Sequence, residues 1–194
     1  MEKKKYDIIL IGPKMAGKTA LLRSLQGKEP QEYIATQSNG EGTTVGNWWK
    51  RNIGAGKKIL DAGGRFNEFE TYTKWCKESK IIVFVFNGCE LLDEVKYYGC
   101  PGKNTSFCRR VCVDLEKEAN ICFIATHKDL FQGTNMESSI HQALEKANND
   151  YGQLFPNMTK RYNPFSDLMQ GRLFAVNALD ENEVKDLFNK IFEL

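Results

Sequence analysis

The 194 residues carry 27 Lys and Arg against 25 Asp and Glu, a formal net charge of +2, with 41% apolar residues. That length fits one domain with a proper core. The near-balanced charge lacks the basic bias of a protein that grips nucleic acid, and no apolar run approaches the roughly 20 residues of a membrane span. A single domain over residues 1–194 is expected, without a nucleic-acid partner.

Met1 to Lys5 lead into an apolar run too short and too early for a secretory signal. Residue 2 is Glu rather than Gly and the last five residues contain no Cys, so neither a myristoyl nor a prenyl signal is read. A cytoplasmic protein is expected, meeting membranes only through a partner or weakly through Lys3 to Lys5, a run that otherwise reads as a solvated terminus. The six cysteines (76, 89, 100, 108, 112 and 122) read as thiols, since Cys100, Cys108 and Cys112 lack the paired spacing of zinc sites.

In chain order, Ile8 to Ile11 form an apolar run ended by Gly12-Pro13, and Lys18 to Gln26 follow with Ala20, Leu21, Leu22 and Leu25 at helical spacing. This reads as strand, Gly-bearing loop, helix. Residues 27–43 are polar with interspersed Gly and Pro and read as a long loop. Strand-like segments follow near Val45 to Arg51 and Lys57 to Leu60, joined by a turn at Asn52 to Gly56. A helix is expected from Asn67 to Lys77. Ile81 to Phe86 and Ile121 to Ala125 are apolar throughout, as central parallel strands are. Helices are expected at Thr105 to Glu118, Met136 to Asn148 and Glu181 to Phe192, the last preceded by Asp180-x-x-Glu183 in the form of a capping box, with a final strand at Arg172 to Val176. Asn87 to Asn104 and Tyr151 to Gly171 read as two long loops.

Strands alternating with helices predict an α/β fold, mostly parallel, with six strands, one antiparallel edge strand and helices on both faces. Ligand chemistry then belongs at the carboxyl ends of the strands.

Gly12-Pro13-Lys14-Met15-Ala16-Gly17-Lys18-Thr19 fits GxxxxGK[ST] between a strand and a helix, the context that makes this phosphate loop informative. Backbone N–H groups from Lys14 to Thr19, continuing into Ala20, are placed to wrap a phosphate at the positive end of the helix. Lys18 would bridge β- and γ-phosphates, and Thr19 would offer its hydroxyl to magnesium. The competing reading is a glycine-containing turn with a chance Lys-Thr. Such a loop does not choose between ATP and GTP.

Asp61-x-x-Gly64, after a strand and at its distance from the first loop, resembles the second nucleotide motif of the small GTPases of the Ras superfamily. The resemblance implies a P-loop NTPase G domain in which Asp61 holds magnesium through water and the Gly64 N–H meets the γ-phosphate; the alternative is a turn using Asp and Gly for their backbone tolerance. Thr43-Thr44-Val45-Gly46 resembles the first switch of Arf-like members, which implies that Thr44, or else Thr43, closes on magnesium and the γ-phosphate. Both threonines also suit the start of a strand.

Thr126-His127-Lys128-Asp129 stands where this family carries its guanine motif, usually NKxD. Asp129 keeps the carboxylate whose two oxygens match guanine's two donors, whereas adenine presents an acceptor at N1. Thr126 and His127 depart from the usual Asn and Lys; Thr-His-x-Asp resembles the Roc GTPase domains, and His127 is able to stack on a base. The alternative is a loop with a surface His and a capping Asp. Asn177-Ala178-Leu179 occupies the place of the family's base-contacting loop, implying backbone contact from Ala178 and Leu179, and only Ala178 matches well.

The resemblance implies a switch that binds GTP and GDP with magnesium and hydrolyses GTP slowly, with Lys18, Thr44 and Arg65 around the reacting phosphate. Effectors or regulators would read loops 27–46 and 61–75, beside which lie Trp48, Trp49, Phe66, Phe69 and Tyr72; the same aromatics also suit a core. Arg65 stands where most members have a water-positioning Gln, so a nucleotide-loaded scaffold without significant hydrolysis is the second reading. An ATP-specific enzyme is a third, opposed by Asp129.

Overall fold

The computed structural model describes residues 6–28, 43–45, 57–62, 69–98, 120–150 and 172–194. Its centre is β1 (Tyr6–Ile11), in which Ile8, Ile9, Leu10 and Ile11 are all buried although successive side chains point to opposite faces. Such a strand needs cover on both sides. Its neighbours are β3 (Lys57–Asp61) and β4 (Ser79–Asn87), each parallel to it, with Leu10 opposite both Asp61 and Val83. β5 (Asn120–Thr126) and β6 (Leu173–Ala175) extend the parallel sheet beyond β4. β2 (Thr43–Val45) runs antiparallel against β3, Thr44 opposite Lys58, giving the order β2-β3-β1-β4-β5-β6.

Alternation along the strands sorts the helices. Ile9, Ile82, Phe84, Phe86 and Phe123 face α2 (Phe69–Lys77), α3 (Gly88–Tyr98) and α4 (Met136–Asp150) through Trp75, Leu91, Met136, Ile140 and Leu144. Ile8, Leu10, Val83, Val85 and Ile124 face α1 (Lys18–Leu25) and α5 (Glu181–Phe192) through Leu21, Leu25, Val184, Phe188 and Ile191. On the first face Phe84 and Phe123 meet edge to face with centroids 5.9 Å apart, a geometry aromatic rings favour.

β1 therefore hands the chain to a helix on one face, while its neighbour β4 hands it to α3 on the other. Where adjacent parallel strands part in this way, a crevice opens at their carboxyl ends.

One expectation is corrected. The stretch Asn87 to Asn104 is not a long loop throughout, because α3 occupies Gly88–Tyr98. Asn87 Oδ1 accepts the Glu90 N–H at 3.1 Å and so starts the helix. Leu91 is buried against the sheet with Leu92 and Val95 beside it, a short stripe among charges that reads weakly in sequence. Gly88 lets α4 approach, since a Cβ there would lie 2.6 Å from Met136 Sδ. The edge strand is described at Thr43–Val45, where both threonines suit a strand; residues 46–51 of the expected segment lie outside the described residues. The expected turn at Asn52 to Gly56, the helix at Thr105 to Glu118 and the loop at Tyr151 to Gly171 lie outside the described residues.

Candidate functional site

Gly12 leaves β1 at φ 147°, and a Cβ on it would stand 1.9 Å from the Val85 carbonyl oxygen of β4. Only glycine fits there. The loop then turns over exposed Lys14 and Met15, with Met15 at φ 65°, and ends on Gly17 at φ 87°, which begins α1 without any side-chain cap. A helix start that no side chain caps leaves its first N–H groups for a ligand, and an anion suits them best.

Lys18 lies folded back over this loop. Its Nζ donates to the carbonyls of Gly12 at 2.9 Å and Pro13 at 2.8 Å, and the side chain is 6% exposed. Burial pushes its ammonium down from 10.5 to about 8, and the neighbouring Asp61 carboxylate opposes that fall. Asp61, at the end of β3, is pushed above the ordinary carboxylate range by its own burial, opposed by Lys18 and by the Thr19 hydroxyl. Thr19 Oγ1 donates to Asp61 Oδ2 at 3.0 Å, while Asp61 Oδ1 is buried and finds no partner among the described residues. An unserved buried carboxylate oxygen beside a hydroxyl is a fit for a hard divalent cation, and magnesium takes only one or two protein oxygens when phosphates and waters supply the rest. Among the described residues there is no cluster of three or more His, Cys, Asp and Glu fit for a metal.

The loops at the other strand ends are tied to this one. Thr126, fully buried at the end of β5, places Oγ1 2.9 Å from the Ala16 carbonyl and 3.1 Å from the Phe86 carbonyl. One hydroxyl proton serves both acceptors, so the contact with His127 Nδ1 at 2.8 Å is best met by the imidazole donating. Gly17 is held against the same threonine, with a Cβ there only 3.1 Å from Thr126 Cγ2. His127 takes up φ 62°, a conformation that is rare for a residue with a side chain, and opens the short 3-10 turn Lys128–Leu130 that presents Asp129 at the surface. Cys89 supports this loop from behind, its Sγ donating to the His127 carbonyl at 3.5 Å. Burial, then Asp93 and Asp129, raise its thiol above the ordinary range, which disfavours the thiolate.

After β6, Ala178 is buried and Leu179 exposed. Ser24 Oγ of α1 donates to the Ala178 carbonyl at 2.6 Å, and Asn177 Oδ1 accepts the Leu179 N–H at 3.0 Å. The Asn177 N–H goes to Glu183 Oε2 at 3.1 Å, and the other Glu183 oxygen takes Lys128 Nζ.

Gly12, Lys14, Met15, Ala16, Gly17, Lys18, Thr19, Ala20 and Asp61 thus gather at the ends of β1 and β3, with Thr126 tying in the loop of His127 and Asp129, and Ser24 the loop of Ala178 and Leu179. Thr44 is placed by its backbone on β2; Gly64 and Arg65 lie outside the described residues. Ser24 and Glu183 escaped sequence reasoning. Ser24 carries no signal beyond being a polar residue in an apolar helix, while Glu183 was visible only as the last residue of a capping box.

Compared with known proteins, no family model matches the chain and no curated protein matches it. No helix among the described residues is long and apolar enough to cross a membrane.

Proposed function

We propose that the chain is a guanine-nucleotide-binding switch with the P-loop G-domain fold of the small GTPases, binding GDP and GTP with magnesium and hydrolysing GTP slowly. The observation that carries this reading is the Lys18, Thr19 and Asp61 constellation under the uncapped start of α1. It joins a buried cation, an anion-seeking helix end and an unserved carboxylate oxygen at one strand edge. Lys18 would exchange its two loop carbonyls for phosphate oxygens, and Thr19 with Asp61 would hold magnesium, which when bound neutralises charge on the β- and γ-phosphates. Asp129 and the backbone at Ala178 and Leu179 would face the base, the carboxylate taking guanine's two donors. Thr44, Gly64 and Arg65 complete the γ-phosphate side in this reading, and the loops that bear them are what effectors or regulators would read.

The test is the nucleotide that copurifies with the protein, followed by competition titration. GDP or GTP is expected, with ATP weaker by orders of magnitude, because a site built on paired hydrogen bonds rejects a base lacking them. Equal affinity for ATP and GTP would refute the reading.

Arg65 favours a second reading, a nucleotide-loaded scaffold without significant hydrolysis. Orienting the attacking water needs an acceptor as well as a donor, and guanidinium has donors only. Single-turnover hydrolysis of preloaded GTP by the parent, Arg65→Gln and Arg65→Ala separates the two. Turnover that is slow in the parent and rises in Arg65→Gln is expected of the switch; none in any variant favours the scaffold.

A further inference from the structure

We propose that Glu183, on α5, is a positioning residue for guanine selectivity: by holding Lys128 and the Asn177 N–H together, it sets the loop of Asp129 against the loop of Ala178. The inference rests on the guanine-nucleotide reading above and extends it to a residue remote from the phosphates.

The Asp129 turn is weakly built by itself. It is a single 3-10 turn of three exposed residues, entered through His127 in a left-handed conformation that disfavours an L-residue. Its backbone tie to the neighbouring loop, Lys128 N–H to the Val176 carbonyl, is long at 3.5 Å. A carboxylate meant to meet two donors at once needs better location than that.

Glu183 supplies it from a rigid element. Its N–H is capped by Asp180 Oδ1 at 3.0 Å, and the next residue, Val184, is wholly buried. In an ordinary capping box this glutamate reaches back to the N–H of the cap residue. Here the Asp180 N–H is already served by the Asn177 carbonyl at 3.1 Å, which leaves both Glu183 oxygens for the two loops. The loop of Ala178 is held a second time by Ser24, so Glu183 sets the Asp129 turn against a part that α1 already fixes. The ion pair is partly exposed, with side chains 49% and 29% accessible, and contributes little stability as a pair of charges. Its effect is on geometry.

The experiment measures GDP, IDP and pyrophosphate affinity and the melting temperature for the full chain, Glu183→Ala, Glu183→Gln and Lys128→Met. Inosine lacks the 2-amino group, so the GDP-over-IDP ratio reads how well Asp129 meets both guanine donors. Glu183→Ala is expected to lower that ratio about five- to tenfold, with pyrophosphate affinity unchanged. Glu183→Gln, which keeps an acceptor for the Asn177 N–H, and Lys128→Met lose less; they carry the test if the alanine variant does not fold. In an Asp129→Ala background the Glu183 change should cost nothing further. An unchanged ratio in all three variants overturns the role of Glu183 alone, as does a parallel loss of GDP and pyrophosphate affinity, the mark of a merely structural residue. A parent that binds no guanine nucleotide overturns the functional reading and this inference with it.

Discussion

Lys18→Met should abolish the phosphate binding proposed for this loop and remove a pH-dependent strain from the nucleotide-free protein. The lysine is buried, and its fall from 10.5 to about 8 measures how much the folded state disfavours the charged form. At about 1.4 kcal/mol per pH unit this amounts to roughly 3 kcal/mol of instability carried at neutral pH. Methionine keeps most of the side-chain volume and removes the charge. Against the gain stand the Gly12 carbonyl, which loses this donor, and the Pro13 carbonyl, which keeps only the Ala16 N–H at 3.4 Å; a buried acceptor left unsatisfied costs about 1–3 kcal/mol. The two sides are of similar size, so the change with pH, rather than the sign at one pH, carries the test.

The pH dependence makes the test sharper than a single melting curve. Between about pH 8 and 10.5 the unfolded chain holds the Lys18 proton and the folded protein does not, so the parent gains stability from this residue as pH rises through that window. The methionine variant lacks that gain. Thermal or urea unfolding of both proteins, stripped of nucleotide and magnesium, should show the parent gaining on the variant as pH rises from about 8 to 10. A difference between the two proteins that does not change with pH would show that Lys18 is not a strained buried cation.

Three further outcomes follow from the geometry. Thr19→Val should remove the magnesium dependence of triphosphate binding, read by titration with and without chelator, since Asp61 then loses its hydroxyl partner; retained dependence would place the metal elsewhere. Thr126→Val leaves the Ala16 and Phe86 carbonyls without their donor, so a destabilisation of about 1–3 kcal/mol and faster nucleotide release are expected by urea unfolding and stopped-flow displacement; neither changing would mean the tie is not used. Gly12→Ala should fail to fold or lose far more stability than any of these, because the Val85 carbonyl in the sheet centre cannot retreat from a Cβ at 1.9 Å; a folded variant of parental melting temperature would refute that contact.

Sequence showed the frame of this protein because the frame rests on local signals. Ile8 to Ile11 and Ile81 to Phe86 are buried on both faces, so their apolar runs are unbroken, and Asp180 caps α5 as its sequence pattern suggests. α3 was missed because its apolar stripe is short and its start depends on a single asparagine. The GxxxxGK[ST] loop was legible for a further reason: glycine at positions 12 and 17 and lysine at 18 each answer to one contact or one backbone angle. The ties between loops were not. Ser24 meets Ala178 across 154 positions, Thr126 meets Ala16 across 110, and Lys128 meets Glu183 across 55. A bond of that kind asks of each residue only that it own a donor or an acceptor, a demand many residue types satisfy, so it leaves no pattern along the chain. Thr126 illustrates the difference. By its letter it departs from the asparagine of the motif it resembles; in the fold its hydroxyl joins the end of β5, which leads to the loop of His127 and Asp129, to the loop of Gly12 to Gly17. Two motifs read separately in sequence thereby meet at one edge of the sheet.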